Sequence, residues 1–343
     1  MSARRINLAL QGGGAHGAFT WGVLDRLLED DTIEIAGISG TSAGALNGAA
    51  LKSGMLNGGR EGARENLDWL WAQVGAQGDL RIASWMRGLE PSFVSQAIEY
   101  SLPFSVADTW SRMVSPYSYG PFYKNPLESI VEKFDFGRVC ADQGPDLFIC
   151  ATCVRTGKIR IFEGEDISTD AILASACLPT LFQAVKIHNP ETGETDAYWD
   201  GGYTGNPALF PLFEDHLPDD IVIVNINPLE RNQLPITPQQ IQNRINEISF
   251  NSSLFRELRA ISFVQRLLDD GKLAPGTMAR LYIHMIADDQ LMNDLSVATK
   301  LVPTAPVLAR LKNAGRAAAD QFLDRDAPHL GTKSTVNLRE MFS

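Results

Sequence analysis

Nowhere in its 343 residues does the sequence hold a run of eighteen apolar positions, so it offers no segment able to span a bilayer as a helix. The opening MSARRINLAL has two arginines but lacks the apolar core of a secretory signal. Positive charge is scarce. With 30 Lys and Arg against 41 Asp and Glu, the net charge of −11 argues against a nucleic-acid groove and against electrostatic docking on anionic lipid. Four cysteines (Cys140, Cys150, Cys153, Cys177) make no disulfide framework in a chain this long. Cys150-x-x-Cys153 has the spacing of a redox or zinc half-site. However, DLFICATC reads as a strand, where positions three apart face opposite ways, so buried apolar cysteines are expected. The five histidines (His16, His188, His216, His284, His329) show no metal spacing, and there are no internal repeats. These absences predict a cytoplasmic protein without metal or cofactor and without a nucleic-acid partner, leaving transient peripheral contact at a membrane or lipid surface open.

Strand and helix signals alternate along the chain, which predicts an α/β fold with a mainly parallel sheet covered on both faces. INLAL (6–10) reads as a buried strand, followed by a helix to about Asp30 in which Phe19, Val23 and Leu27 recur every four residues. IEIAGIS (33–39) is the second strand, and AGALNGAALKSG (43–54) is a helix of small residues closed by Gly54. DLFICAT and KIRIFEG form a hairpin around Arg155-Thr156-Gly157. DIVIVNIN (220–227) and RLYIHMI are later strands, and 239–270 and 307–323 are helices. Aromatics from Trp85 to Tyr123, among them Phe93, Tyr100, Phe104, Trp110 and Tyr117, mark a cap. The expected organisation is one domain over 1–343, with a helical cap at about 69–125 and a helical C-terminal extension at about 230–343.

Gln11 to Gly17 reads QGGGAHG and contains Gly12-x-Gly14-x-x-Gly17, the outline of a dinucleotide-binding fingerprint. That reading requires an acid near the end of the second strand to bind ribose. The strand instead ends in Ser39-Gly40, and Glu34 lies at its start. It runs directly into Gly40-Thr41-Ser42-Ala43-Gly44, a G-x-S-x-G between an apolar strand and a helix. This is the setting of a nucleophile elbow, where flanking glycines permit a turn sharp enough to lift a serine above the sheet. If Ser42 attacks a carbonyl, the oxyanion needs backbone N–H donors, and Gly12, Gly13 and Gly14 at the end of the neighbouring strand can supply them. On its own, Asp200-Gly201-Gly202 in YWDGGYTGNP reads as a turn after a short apolar strand.

Taken together, these segments resemble the patatin-like phospholipases. The glycine-rich loop Gly12-Gly13-Gly14, the elbow around Ser42 and the distant Asp200-Gly201-Gly202 are similar to that family's oxyanion loop, nucleophile and catalytic aspartate. The stretch from Ala174-Ser175 through Pro179 to Phe182 is similar to its Ala-Ser-x-x-x-Pro-x-x-Phe segment. The resemblance spans residues 6–206. It implies a patatin-like three-layer α/β sandwich and a Ser42–Asp200 dyad hydrolysing phospholipid or lysophospholipid esters of the phospholipase A or lysophospholipase type, without metal. One departure is His16, which stands where the family usually carries Arg or Lys. Three readings of His16 are open: oxyanion donor, base for Ser42, or cap of the following helix, with the cap or a minor electrostatic role preferred. His216 or His284 could alternatively complete a Ser-Asp-His triad. An esterase or depolymerase of a storage polyester, and a non-catalytic lipid-binding protein of the same fold, are the alternatives to the phospholipase reading.

Overall fold

The computed structural model describes residues 3–77, 115–189, 193–231, 234–274, 276–295, 299–300 and 302–342. Its centre is an eight-stranded sheet of β1 (Arg4–Leu10), β2 (Ile33–Thr41), β3 (Asp146–Cys153), β4 (Ile159–Glu163), β5 (Val185–His188), β6 (Thr195–Asp200), β7 (Asp220–Asn225) and β8 (Tyr282–Ala287). The order is β5-β6-β3-β2-β1-β7-β8, with β4 also on β3. β3, β2, β1, β7 and β8 run parallel, and β4, β5 and β6 complete the sheet in antiparallel pairs. The parallel strands are largely apolar because both of their faces are covered.

Side-chain alternation divides the core in two. Leu8, Leu10, Val222 and Val224 point to the face packed by α1 (Gly17–Leu27), α2 (Ala43–Gln77), α3 (Thr169–Ser175) and α5 (Ala305–Arg325). Ala9, Ile221 and Ile223 point to the other face, where Leu254, Leu258 and Ile261 of α4 (Pro238–Asp269) cover them. The result is an α/β/α sandwich. Of the segment predicted as a C-terminal extension, β8 is a strand of the central sheet and α5 packs on α1, so this part of the chain belongs to the layers themselves. Among the described residues no helix is long and apolar enough to cross a membrane.

α2 departs from expectation. Gly54 does not end it; a Cβ there would lie 2.4 Å from the carbonyl oxygen of Gly62, so its role is close approach. The reversal comes at Gly58 and Gly59, the latter at φ 63°, a conformation glycine adopts freely. The two arms then run side by side, joined by Asn66 Nδ2 donating to the Ala50 carbonyl (2.7 Å) and Trp71 Nε1 to Asn47 Oδ1 (2.9 Å). The second arm reaches Gln77. Most of the predicted cap, with Trp85, Phe93, Tyr100, Phe104 and Trp110, lies outside the described residues. At the near edge of that segment, the Tyr117 and Tyr123 hydroxyls accept from the Ala184 and Gln183 amides, tying residues 115–123 to the chain before β5.

Candidate active site

Strand register brings Ser42 and Asp200 together. β4 pairs with Phe148–Thr152 along one edge of β3, so β2 and β6 must share the other edge. There Thr41 pairs with Cys150, and Asp200 pairs with the next residue, Ala151. The parallel strand ending at the elbow and the antiparallel strand ending at the aspartate thus meet end to end. Two further bonds fix the aspartate's backbone: its N–H donates to the Cys177 carbonyl (2.8 Å), and its carbonyl accepts from Thr152 Oγ1 (2.8 Å).

Ser42 is the one described non-glycine residue at positive φ, 55°, the strained conformation that an elbow imposes. The neighbouring glycines allow it. A Cβ on Gly44 would lie 2.2 Å from the Leu10 carbonyl oxygen, and one on Gly12 would lie 2.7 Å from Ser42 Cβ. The Ser42 N–H donates to Ser175 Oγ (2.9 Å), and α2 begins at the next residue, so the serine hydroxyl sits at the positive end of a helix.

Asp200 is 1% exposed. Burial pushes its carboxyl up to about 7, against hydrogen bonds from the Gly202 N–H and the Ser42 hydroxyl, which favour the ionised form. The Gly202 bond is 2.7 Å. Among the described residues no cation pairs with Asp200. Its charge is felt by Cys150, Cys177 and Tyr203, whose protons burial holds more tightly; Cys177 and Tyr203 are both pushed up to about 12. Cys150 and Cys153 are both buried and free, as their strand placement predicted.

The glycine loop divides the roles expected of it. The Gly12 N–H already donates to Asn206 Oδ1 (2.7 Å), which corrects its assignment as an oxyanion donor; Gly12 is a spacer that lets the loop touch Ser42. The amides of Gly13 and Gly14 donate to nothing among the described residues. Polar side chains with no motif of their own hold this loop. Gln11 Oε1 accepts from the Ile226 and Asn227 amides and from Asn227 Nδ2, while its Nε2 donates to the Asn206 carbonyl and Asn251 Oδ1. Asn227 Nδ2 donates to the Gly12 carbonyl (2.8 Å), and Asn227 Oδ1 accepts from Lys300 Nζ (2.8 Å). Burial pulls the Lys300 ammonium down to about 8.

The histidines lie elsewhere or are otherwise engaged. His16 makes no side-chain cap, contrary to the preferred reading. Its Nε2 lies 2.7 Å from Thr299 Oγ1, and burial, Lys300 and Arg231 together hold its pKa well below the ordinary value. His216 pairs with Asp146 at the opposite end of β3, roughly 13 Å of strand away from the residue that pairs with Thr41. His284 is three strands removed, in register with Val222, and bonds Asp220 and Thr335. Neither can complete a triad with Ser42. A cavity of about 300 Å³ lined by Ser53, Asn66, Trp69, Lys133 and Arg138 includes neither Ser42 nor Asp200. No group of three or more His, Cys, Asp or Glu among the described residues could hold a metal ion.

A family model described as patatin-like phospholipase matches residues 8–213. A search of curated proteins finds no match. Among solved structures, VipD from Legionella pneumophila is similar at 14% identity and a TM-score of 0.43, over 94% of this chain and 67% of that one. The heterodimeric ExoU-SpcU complex from the type III secretion system of Pseudomonas aeruginosa is similar at 14% identity and a TM-score of 0.37, over 94% of this chain and 52% of that one. The chain therefore spans about two thirds of the first and about half of the second.

Proposed function

The chain belongs to the patatin-like phospholipase family, and from that premise we propose that it releases fatty acid from phospholipid or lysophospholipid through an acyl-enzyme on Ser42, with Asp200 as the only side-chain base. The observation that carries the proposal is the pairing of an elbow serine with a buried, cation-free carboxylate whose pKa lies near 7, where a general base is most effective. Asp200 takes the hydroxyl proton as the serine oxygen attacks the ester carbonyl. The developing oxyanion is received by the Gly13 and Gly14 amides, with the α2 N-terminus adding its positive end. Collapse of the tetrahedral intermediate expels the alcohol, which takes the proton from Asp200. Water, deprotonated by the same carboxylate, then releases the acid and restores Ser42. An aspartate with a pKa near 3.9 would be a poor base for both steps, and burial supplies the difference.

An activated fluorophosphonate should label the wild-type protein once, at Ser42, and Ser42→Ala should abolish both labelling and fatty-acid release from phosphatidylcholine and lysophosphatidylcholine without changing the circular dichroism spectrum. Equal labelling of the variant would remove Ser42 as the nucleophile. Labelling of wild type without release from either lipid would move the substrate to another class of ester.

A further inference from the structure

α4 carries two apolar strips, and only one is covered. Leu254, Leu258 and Ile261 are buried against the sheet, whereas Ile241, Ile245 and Ile248 are 43%, 53% and 55% exposed. At 3.6 residues per turn the three isoleucines share a sector of about 60°, rotated roughly 140° from the buried strip. Leu234 and Ile236, just before the helix, are 83% and 81% exposed. The helix is nonetheless firmly started: Thr237 and Gln240 form a reciprocal capping box.

The bonds along α4 show where this strip stands. Asn251 donates to the Pro228 carbonyl and Ser253 Oγ accepts from the Asn206 amide, both at the end of the sheet that carries Ser42; Gln265 reaches the Leu281 carbonyl at the other end. Residues 238–246 therefore project beyond the sheet on the active-site side by about 13 Å. The same helix also touches the site. Ring atoms of Phe250 lie 3.3 Å from where a Cβ on Gly202 would be, the ring packs edge-on to Tyr203 at 5.2 Å, and the Gly202 N–H holds Asp200.

Charge narrows the partner. Between Pro238 and Ser252 the only ionised side chains are Arg244 and Glu247; Glu247 is buried, held at 2.7 and 2.8 Å by Arg231 and at 3.3 Å by Arg244, and uncharged Gln240, Gln242, Asn243 and Asn246 make up the rim. The surplus is a single cation on a protein of net charge −11, which gives no general attraction to an anionic surface, and the uncharged rim loses nothing at an uncharged one. We infer that the projecting turns of α4, with Leu234 and Ile236, seat the protein on a zwitterionic phospholipid surface, so that the site beside Phe250 opens toward the lipid. The inference rests on the lipid-ester reading of Ser42 and Asp200, and it identifies the surface that reading requires. Isoleucines here take the apolar positions and neutral amides the headgroup level, as in helices that lie in a membrane interface.

The test separates docking from chemistry by using Ser42→Ala protein throughout. It should float with phosphatidylcholine vesicles, and adding Ile241→Gln, Ile245→Gln and Ile248→Gln should weaken vesicle affinity about tenfold or more while the melting temperature is kept. A single Ile245→Asp should weaken it in the same direction. Equal flotation with and without the three substitutions overturns the inference. So does a Ser42→Ala protein that does not float, or one that sedimentation shows to be a dimer dissociated by the three substitutions, since the strip would then face a second copy. Vesicle binding by wild type without fatty-acid release would sink the catalytic reading and leave the docking surface standing.

Discussion

Asp25 and Asp200 are two buried aspartates, 4% and 1% exposed, with opposite electrostatics. Asp25, on α1, faces Arg64 of α2 and Arg316 and Lys312 of α5. It accepts from Arg64 Nε at 2.9 Å and from Arg316, and lies 3.8 Å from Lys312 Nζ. Burial alone would raise its pKa, but the Arg64 bond and the charges of Lys312 and Arg316 overcome that and hold it below the usual range. Asp200 has one backbone N–H and one serine hydroxyl for company, and burial wins. Depth therefore does not decide what a carboxylate does. Surrounded by cations, it clamps three helices into one layer; deprived of them, it is a charge the fold holds at a cost, ready to accept a proton.

The largest expected effect tests that division directly. Asp200→Asn keeps the shape and the Gly202 bond but cannot accept a proton, so turnover should fall by about 10⁴, on the order of 5.5 kcal/mol of transition-state stabilisation. Fold stability should hold or rise, because an unpaired buried charge is removed. Single-turnover hydrolysis and thermal unfolding of the same preparation read both quantities. Retention of more than about a hundredth of wild-type turnover would place the base elsewhere.

Asp25→Ala should do the reverse. Removing it leaves Arg64 and Arg316 bridged by Glu29 alone, a loss toward the lower end of about 3–5 kcal/mol in stability measured by denaturant unfolding. Turnover per folded molecule should change little, since Asp25 touches α2 and α5 and not the elbow. If Asp25→Ala instead lowered turnover with unfolding unchanged, the clamp and the base would not be separable as described.

The two acids should also oppose each other in pH. Because the folded pKa of Asp200 is raised, the native state keeps a proton between about 4 and about 7 that the unfolded chain has released. Its contribution thus makes stability fall as pH rises through that window, by up to about 1.4 kcal/mol per unit. Asp25, with a depressed folded pKa, contributes stability that is complete above about pH 4 and is lost as pH falls through its folded value. Asp200→Asn should remove the first slope and leave the second. Turnover, which needs the Asp200 carboxylate, should decline about tenfold per unit below about pH 7. A wild-type profile flat down to pH 5 would contradict a base of this kind.

Much of this arrangement was legible in the sequence, and the remainder was hidden for physical reasons. β1, β2 and β7 announce themselves as continuous apolar runs, because strands buried on both faces have no polar side to show. The elbow is legible because a serine flanked by glycines between strand and helix has few other uses, and Asp200 came through resemblance to a family. Gly54 misled because a glycine after a run of small residues reads as a helix end, whereas here it permits contact with Gly62 and the reversal waits for Gly59. Gly12 misled because the acceptor of its amide, Asn206, lies 194 positions away. Gln11 and Asn227 carried no motif at all, and Ser175 stood in a recognised segment without its bond to the Ser42 amide being readable, since a polar residue whose partners are assembled only by folding leaves no local pattern. The second apolar strip of α4 was hidden for a related reason: a helix with two strips shows a broad, indistinct periodicity.

The smallest expected effect concerns His16, a third buried titratable group. It is 1% exposed, with Nδ1 lacking a hydrogen-bond partner among the described residues and Nε2 against Thr299. Burial, then the charges of Lys300 and Arg231, lower its pKa, which disfavours the cation that the resemblance places at this position. It lies in the turn just beyond Gly13 and Gly14, its own N–H donating to the Gly13 carbonyl. A change of side chain should therefore shift the loop without removing a reacting group. His16→Gln should cost at most about tenfold in turnover, about 1.4 kcal/mol, with the decline below about pH 7 left where it was. His16→Lys should instead destabilise the fold, because a second buried ammonium would sit near Lys300 and Arg231 with no added acid. If His16→Gln were as inactive as Ser42→Ala and the acid limb of the profile vanished, the titration near 7 would belong to the histidine, and the contrast between Asp25 and Asp200 would describe packing alone.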